Sequence, residues 1–180
     1  MSSRILVDEI YSKTGNTSAL EIDSSGRVLS PKLVRFHAYL NANKTTTSTG
    51  ANKWSASGVF GNNLDQIVYN VGSGYDSSTT TFTAPVAGMY HFIMHVSTQS
   101  NGAAQTYMGI DIRINDGRYA SGWERADSSG YHKEHATFPV YLEAADTVEP
   151  GIEIASNTNF VGGTSSGYRF YTYFAGYLVG

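Results

Sequence analysis

Cysteine is absent from the 180 residues, so no disulfide and no thiolate metal site can brace this chain. Stability has to come from burial and from contact between subunits. Charge is scarce as well: Asp, Glu, Lys and Arg make up 15% of the sequence, against about 25% in an average soluble protein. Much of the surface must therefore be Ser, Thr, Asn and Gly, or be covered by other copies. Twelve basic residues against fifteen acidic ones leave a net charge of −3, and no basic cluster stands out. That speaks against nucleic acid as a partner and against electrostatic attachment to an anionic membrane. No apolar run has transmembrane length, so membrane insertion is not expected. The opening MSSRILVDEI lacks the apolar stretch of a secretory signal peptide. A helical period is missing from every window, which predicts an all-β protein.

What the chain does hold is alternation, and 41% hydrophobic residues are enough to fill the core of one domain. Val34, Phe36, Ala38 and Leu40 alternate as a strand. So do Tyr90, Phe92, Met94 and Val96, then Met108, Ile110, Ile112 and Ile114, with Asp111 and Arg113 on the opposite face. Asn115-Asp116-Gly117 supplies a hairpin turn of residues that tolerate positive φ. Ala136, Phe138, Val140 and Leu142 form another inward face, and Ile152 and Ile154 another. The polar stretch from Asn41 to Gly58 reads as a long loop. The chain divides near Pro31. Residues 4–29 read as short strands broken at Gly15-Asn16 and Ser24-Ser25-Gly26, a unit too small to bury a core alone. Residues 1–31 are therefore expected to dock on a partner or trimerise, and residues 32–180 to form the head.

The closing GYRFYTYFAGYLVG has no polar face. Tyr168, Phe170, Thr172, Phe174 and Leu178 share one side, and Arg169, Tyr171, Tyr173, Ala175, Tyr177 and Val179 the other. A strand of a half-exposed antiparallel sheet turns polar residues to water, so something must cover the second side. A threefold interface using Tyr39, Tyr171, Tyr173 and Tyr177 is the expected cover.

The order and spacing of Asn70, Tyr75, Phe82, Gly88, Tyr90 and Phe92 resemble the signature of the globular head of complement component C1q, a relative of the tumour-necrosis-factor fold. Phe174-Ala175-Gly176-Tyr177-Leu178 resembles that family's closing strand. Ala145-Asp146-Thr147-Val148 is similar to its Gly-Asp-x-Val turn, with alanine in place of glycine. The resemblance spans about residues 33–180. It implies an antiparallel jelly-roll sandwich that associates as a homotrimer and binds other molecules with its outer loops. Leu64 and Met94 stand where the family usually has an aromatic. Calcium occurs in several relatives, but no dense Asp/Asn cluster here supports a site, so no cofactor is expected. Animal members usually carry a secretory signal and a collagen-like stalk, and neither is present. RILVDEIYSKTGNTSALEIDSSGRV resembles short segments of marine bacteriophage tail-fibre and other virion structural proteins.

The constellations that could carry catalysis are weak, and an enzyme is not expected. His132-Lys133-Glu134-His135 spaces its histidines by three and not by the four of a helical zinc motif, so a solvated loop is the simpler reading. His91 and His95 share a strand face about 13 Å apart at strand rise, too far for one metal within one chain; three symmetry copies of one histidine remain a second option. Glu149 and Glu153 are as widely spaced along a strand. Gly72-Ser73-Gly74 lacks a following helix and is turn chemistry. The segment from Asp116 to Lys133, read as a loop, holds Arg118, Tyr119, Trp123, Tyr131 and His132 among Gly and Ser. Aromatic residues on polar loops suit glycan or protein receptors, although Tyr119 and Trp123 could equally pack on the sheet edge. The expected function is a non-enzymatic, trimeric protein on a bacteriophage virion, a short fibre that contacts the host surface. A capsid decoration protein and a secreted lectin-like protein are the alternatives.

Overall fold

The computed structural model describes residues 8–11, 18–30, 32–46, 50–53, 64–100, 107–124, 131–154, 158–160 and 171–179. All the regular structure among them is antiparallel β, as expected. The chain separates into two compact units, Met1–Leu33 and Val34–Gly180. In the first, β1 (Glu9–Tyr11), β2 (Ser18–Ile22) and β3 (Val28–Leu29) form a three-stranded sheet. The Asp23 carboxylate builds the turn between β2 and β3 by accepting from the Ser25 and Arg27 amides at 2.9 and 3.0 Å. Ile10, Tyr11, Ile22, Val28 and Leu29 are all exposed in this unit. Among the described residues of this unit, no second layer accompanies the three short strands.

The second unit runs through β4 (Arg35–Tyr39), β5 (Lys44–Thr46), β6 (Gly50–Lys53), β7 (Gln66–Val71), β8 (Tyr75–Asp76) and β9 (Thr81–Thr83). It continues with β10 (Gly88–Ser100), β11 (Met108–Ile114), β12 (Gly117–Glu124), β13 (Tyr131–Leu142), β14 (Thr147–Ile154), β15 (Thr158–Phe160) and β16 (Tyr173–Leu178). Seven strands make one sheet in the order β5-β15-β10-β16-β4-β7, with β13 along the other side of β10. Six make the other, β12-β11-β14-β9-β8, with β6 also on β14. Non-sequential neighbours such as β10 and β16 bring distant segments together, the mark of a jelly roll.

The inward residues of both sheets form one buried cluster that includes Phe36, Phe92, Met94, Val140 and Phe174 from the first and Phe82, Ile110, Ile112, Val148 and Ile152 from the second. The inward alternations read from the sequence hold for the described residues of β4, β10, β11, β13 and β14, because a period of two puts every second side chain on the same face. Rings dominate the centre. Phe36 stacks on Tyr75 with centroids 4.7 Å apart and on Phe82 at 5.1 Å, and meets the edge of Phe174 at 5.1 Å. Phe82 contacts Tyr90 and Phe92, each at 5.4 Å. Most of the signature is therefore core. Its polar members serve the backbone: the Asn70 side chain donates to the Tyr75 carbonyl at 2.7 Å and accepts from the Tyr75 amide at 3.2 Å, closing the β7–β8 turn. The buried Tyr75 and Tyr90 hydroxyls donate to the Leu64 and Val86 carbonyls at 2.9 and 2.8 Å.

Two prolines lie in strands where their missing N–H does little harm. Pro139 sits on β13, which pairs with β10 alone. Pro150 falls between the stretch of β14 that pairs with β9 and the stretch that pairs with β6. The expected long loop from Asn41 to Gly58 is corrected: it contributes β5 to one sheet and β6 to the other. Pairing at a sheet margin uses backbone groups, which polar Thr, Asn and Lys supply as well as apolar residues do.

Candidate functional site

The outward face of the seven-stranded sheet gathers the residues expected at an interface. The register aligns Tyr39, Tyr173, His95 and His135 in one row across β4, β16, β10 and β13. The next row holds Tyr69, His37, Ala175, Ile93 and Thr137, and the third Arg35, Tyr177, His91 and Pro139. Met89, Tyr141 and Val179 extend the face and are exposed. Tyr171 precedes β16, and its carbonyl accepts from His95 Nδ1 at 2.6 Å. The face thus unites Tyr39, Tyr173 and Tyr177, with Tyr171 at its margin. Of the closing segment, Tyr168, Arg169 and Phe170 lie outside the described residues.

What the sequence reading missed on this face is His37, and the pairing of the histidines with the tyrosines. His37 packs edge-on to Tyr69 and Tyr173, with centroids 5.9 and 5.2 Å apart. His95 stacks on Tyr173 at 5.5 Å, nearly parallel. His91 Nδ1 lies 3.0 Å from the Tyr177 hydroxyl, while its Nε2 is buried with no hydrogen-bond partner. Burial holds His37 below the ordinary imidazole range. His95 is also lowered, by burial first and by the positive potential of His135 and Lys133, against the opposing pull of the Tyr171 carbonyl. A signal was available: His37 alternates with buried Phe36 and Ala38, and so had to face outward.

The receptor-loop expectation needs correction. Residues 117–124 form β12, paired along β11, and residues 131–142 form β13, paired along β10. Only 125–130 separate them, and these lie outside the described residues. Gly and Ser suggested a loop, but Gly122 lies in the strand close against β13: a Cβ there would sit 3.3 Å from the Glu134 carboxylate and 3.8 Å from the Ala136 Cβ. The supposed solvated loop His132-Lys133-Glu134-His135 is likewise strand, and alternation puts His132 and His135 on opposite faces. Arg118 is exposed and also bound within the head. Its guanidinium pairs with the Glu153 carboxylate at 2.6 Å and with Asp111 at 2.7 Å, and Arg113 meets the same Asp111 at 3.3 Å. Asp111 is fully buried, although alternation had set it on an outer face. The two arginines cover it, and a Cβ at Gly151 would collide with its carboxylate.

Tyr119 is the extra residue of a β-bulge, since Ile112 pairs with Ala120 but Arg113 with Arg118. The bulge turns its ring outward, 54% exposed. His132 is half-buried. The side chains of Trp123 and Tyr131 lie outside the described part. Among the described residues no cluster of three or more His, Asp or Glu is arranged to hold a metal, and no helix is long and apolar enough to cross a membrane.

Residues 42–179 match the C1q domain family. The fold is similar to the globular domain of zebrafish complement 1qA protein, at 15% identity and TM-score 0.55, over 82% of this chain and 98% of that one. Eiger TNF from S. frugiperda is similar at 7% identity and TM-score 0.56, over 83% and 94% of the two chains. Murine APRIL at pH 5.0 is similar at 13% identity and TM-score 0.55, over 82% and 100%. These likenesses show a shared jelly roll, and the match across residues 42–179 places the chain in the C1q domain family.

Proposed function

We propose that this chain is a non-enzymatic, homotrimeric binding module on the surface of a bacteriophage particle, a C1q-type head joined to a short N-terminal docking sheet. The outward face of the seven-stranded sheet carries the reading. Tyr39, Tyr173, Tyr177 and Ile93 occupy positions that a solvated sheet gives to polar residues, and two further copies would cover them. Domains of the C1q and tumour-necrosis-factor type typically form homotrimers, which supports the same assembly here. Sedimentation should give three times the 19.5 kDa chain mass, and a folded monomer at micromolar concentration would overturn the reading. Tyr173→Asp or Tyr177→Asp should dissociate the head, since each would bury an unpaired charge.

The N-terminal unit supports the placement on a virion. It exposes Ile10, Tyr11, Val28 and Leu29 without a core of its own, and its wording resembles tail-fibre segments. Another virion protein would bind residues 1–31. The head would then present the β12 edge, with Tyr119 and Trp123, and the start of β13, with Tyr131, to a host surface glycan or protein. A capsid decoration protein, or a secreted lectin-like C1q-domain protein, would share the same head. Locating the chain in reconstructed particles separates the three. Particles lacking it that adsorb normally but break on heating would favour decoration.

A further inference from the structure

We propose that the histidines of the outward face make self-association pH-dependent, so that the assembly holds at neutral pH and comes apart in acid. This inference rests on the homotrimer reading above. All five histidines of the chain lie on strands of the seven-stranded sheet, and four of them, His37, His91, His95 and His135, lie in the rows of its outward face.

The same strands are almost without carboxylates. β4, β5, β7, β10, β15 and β16 contain no Asp or Glu, and β13 contains only Glu134. Glu134 pairs with Val96 on the inward side. Asp65 before β7 and Glu143 after β13 lie outside the strands. Among the described residues, the titratable and charged groups facing the imidazoles are therefore Arg35 and Tyr39 from β4, Tyr69 from β7, Lys133 and Tyr141 from β13, and Tyr173 and Tyr177 from β16, with Tyr171 beside it. None of them neutralises a cation.

Neutral imidazoles and phenols both donate and accept, so the face is compatible with copies of itself. Protonated imidazoles are not. A proton on both nitrogens of His91 would place an N–H at the buried Nε2, which has no acceptor. His95 donates Nδ1–H to the Tyr171 carbonyl, so protonation would fall on Nε2 and add charge beside His135 and Lys133. Burial already lowers His37 and His95 below the ordinary imidazole range in one protomer, and covering the face lowers them further. The assembled state then binds fewer protons than the separated one. Association is at full strength above the values of the separated protomer, themselves below the ordinary imidazole value of about 6.5, and is lost as pH falls from there through the still lower values of the assembly. Each imidazole kept neutral weakens association by up to about tenfold per pH unit in that window.

The occupant matters to the sign. If the face met an acidic partner and not copies of this chain, protonation would strengthen binding in acid. The test is sedimentation of the full chain from pH 8 to pH 4.5 at constant ionic strength, with near-ultraviolet circular dichroism to confirm that the protomer stays folded. A trimer at pH 8 should dissociate below pH 6.5, its association constant falling at least tenfold per pH unit. His91→Gln with His95→Gln should flatten that dependence; His135→Gln, at the exposed margin, is the milder variant should the pair misfold. A trimer that persists to pH 4.5, or a dissociation that the glutamine variants leave unchanged, would overturn the switch. A monomer already at pH 8 would instead overturn the trimer reading on which it rests.

Discussion

Two single residues decide more of the stability than their size suggests. Gly176 lies where β16 crosses the aromatic core, and a Cβ there would sit 2.6 Å from the Phe92 ring and 2.8 Å from Phe36. Gly176→Ala should cost about 2 kcal/mol or more by overpacking, read as an earlier denaturant midpoint. Ala145 works in the opposite sense. It stands at φ +74°, a left-handed conformation costly for any residue with a Cβ. Ala145→Gly should stabilise the head by about 0.5–1 kcal/mol, measured the same way. The sequence showed the alanine in a turn where the resembling family has glycine. That the backbone keeps the glycine conformation is visible only in the dihedral.

At the scale of elements, the β11–β12 hairpin is built around a charge. Asn115 and Asp116 take positive φ in the turn, as their identity and the following Gly117 indicated. Arg113 and Arg118 face each other across the hairpin, an unfavourable like-charge pair that Asp111 and Glu153 neutralise. Arg118→Ala should destabilise the head by about 2 kcal/mol, because it strips charged hydrogen bonds from a buried carboxylate. Thermal unfolding would detect it. Tyr119→Ala should leave unfolding unchanged, since the bulge exposes the ring, and should weaken host-cell attachment if this edge contacts a receptor. Whole particles are the right probe, because many weak sites multiply the effective affinity. Strand identity was legible wherever apolar residues alternate, as in β4, β10, β11, β13 and β14. It was illegible in β5, β6 and β12, where Thr, Gly and Ser pair through backbone groups and the strand's evidence lies on its neighbours.

For the whole molecule, removal of residues 1–30 should leave a folded, still trimeric head that no longer joins its particle. Normal incorporation of the truncated chain would refute the docking role. Sequence alone determined the β class, the inward face of the strands whose apolar residues alternate and the aromatic signature of the head, because these follow from a period of two and from a few fixed spacings. It also showed that the closing strand has no polar side. Only the tertiary structure decided which strands became neighbours. Antiparallel pairing between β10, β13, β16 and β4 set histidines that are far apart in the chain into adjacent rows with the tyrosines, and the same kind of pairing sank Asp111 beneath two arginines. Periodicity acts within one strand, whereas a face is assembled from strands whose order is set by how two sheets close over a common core.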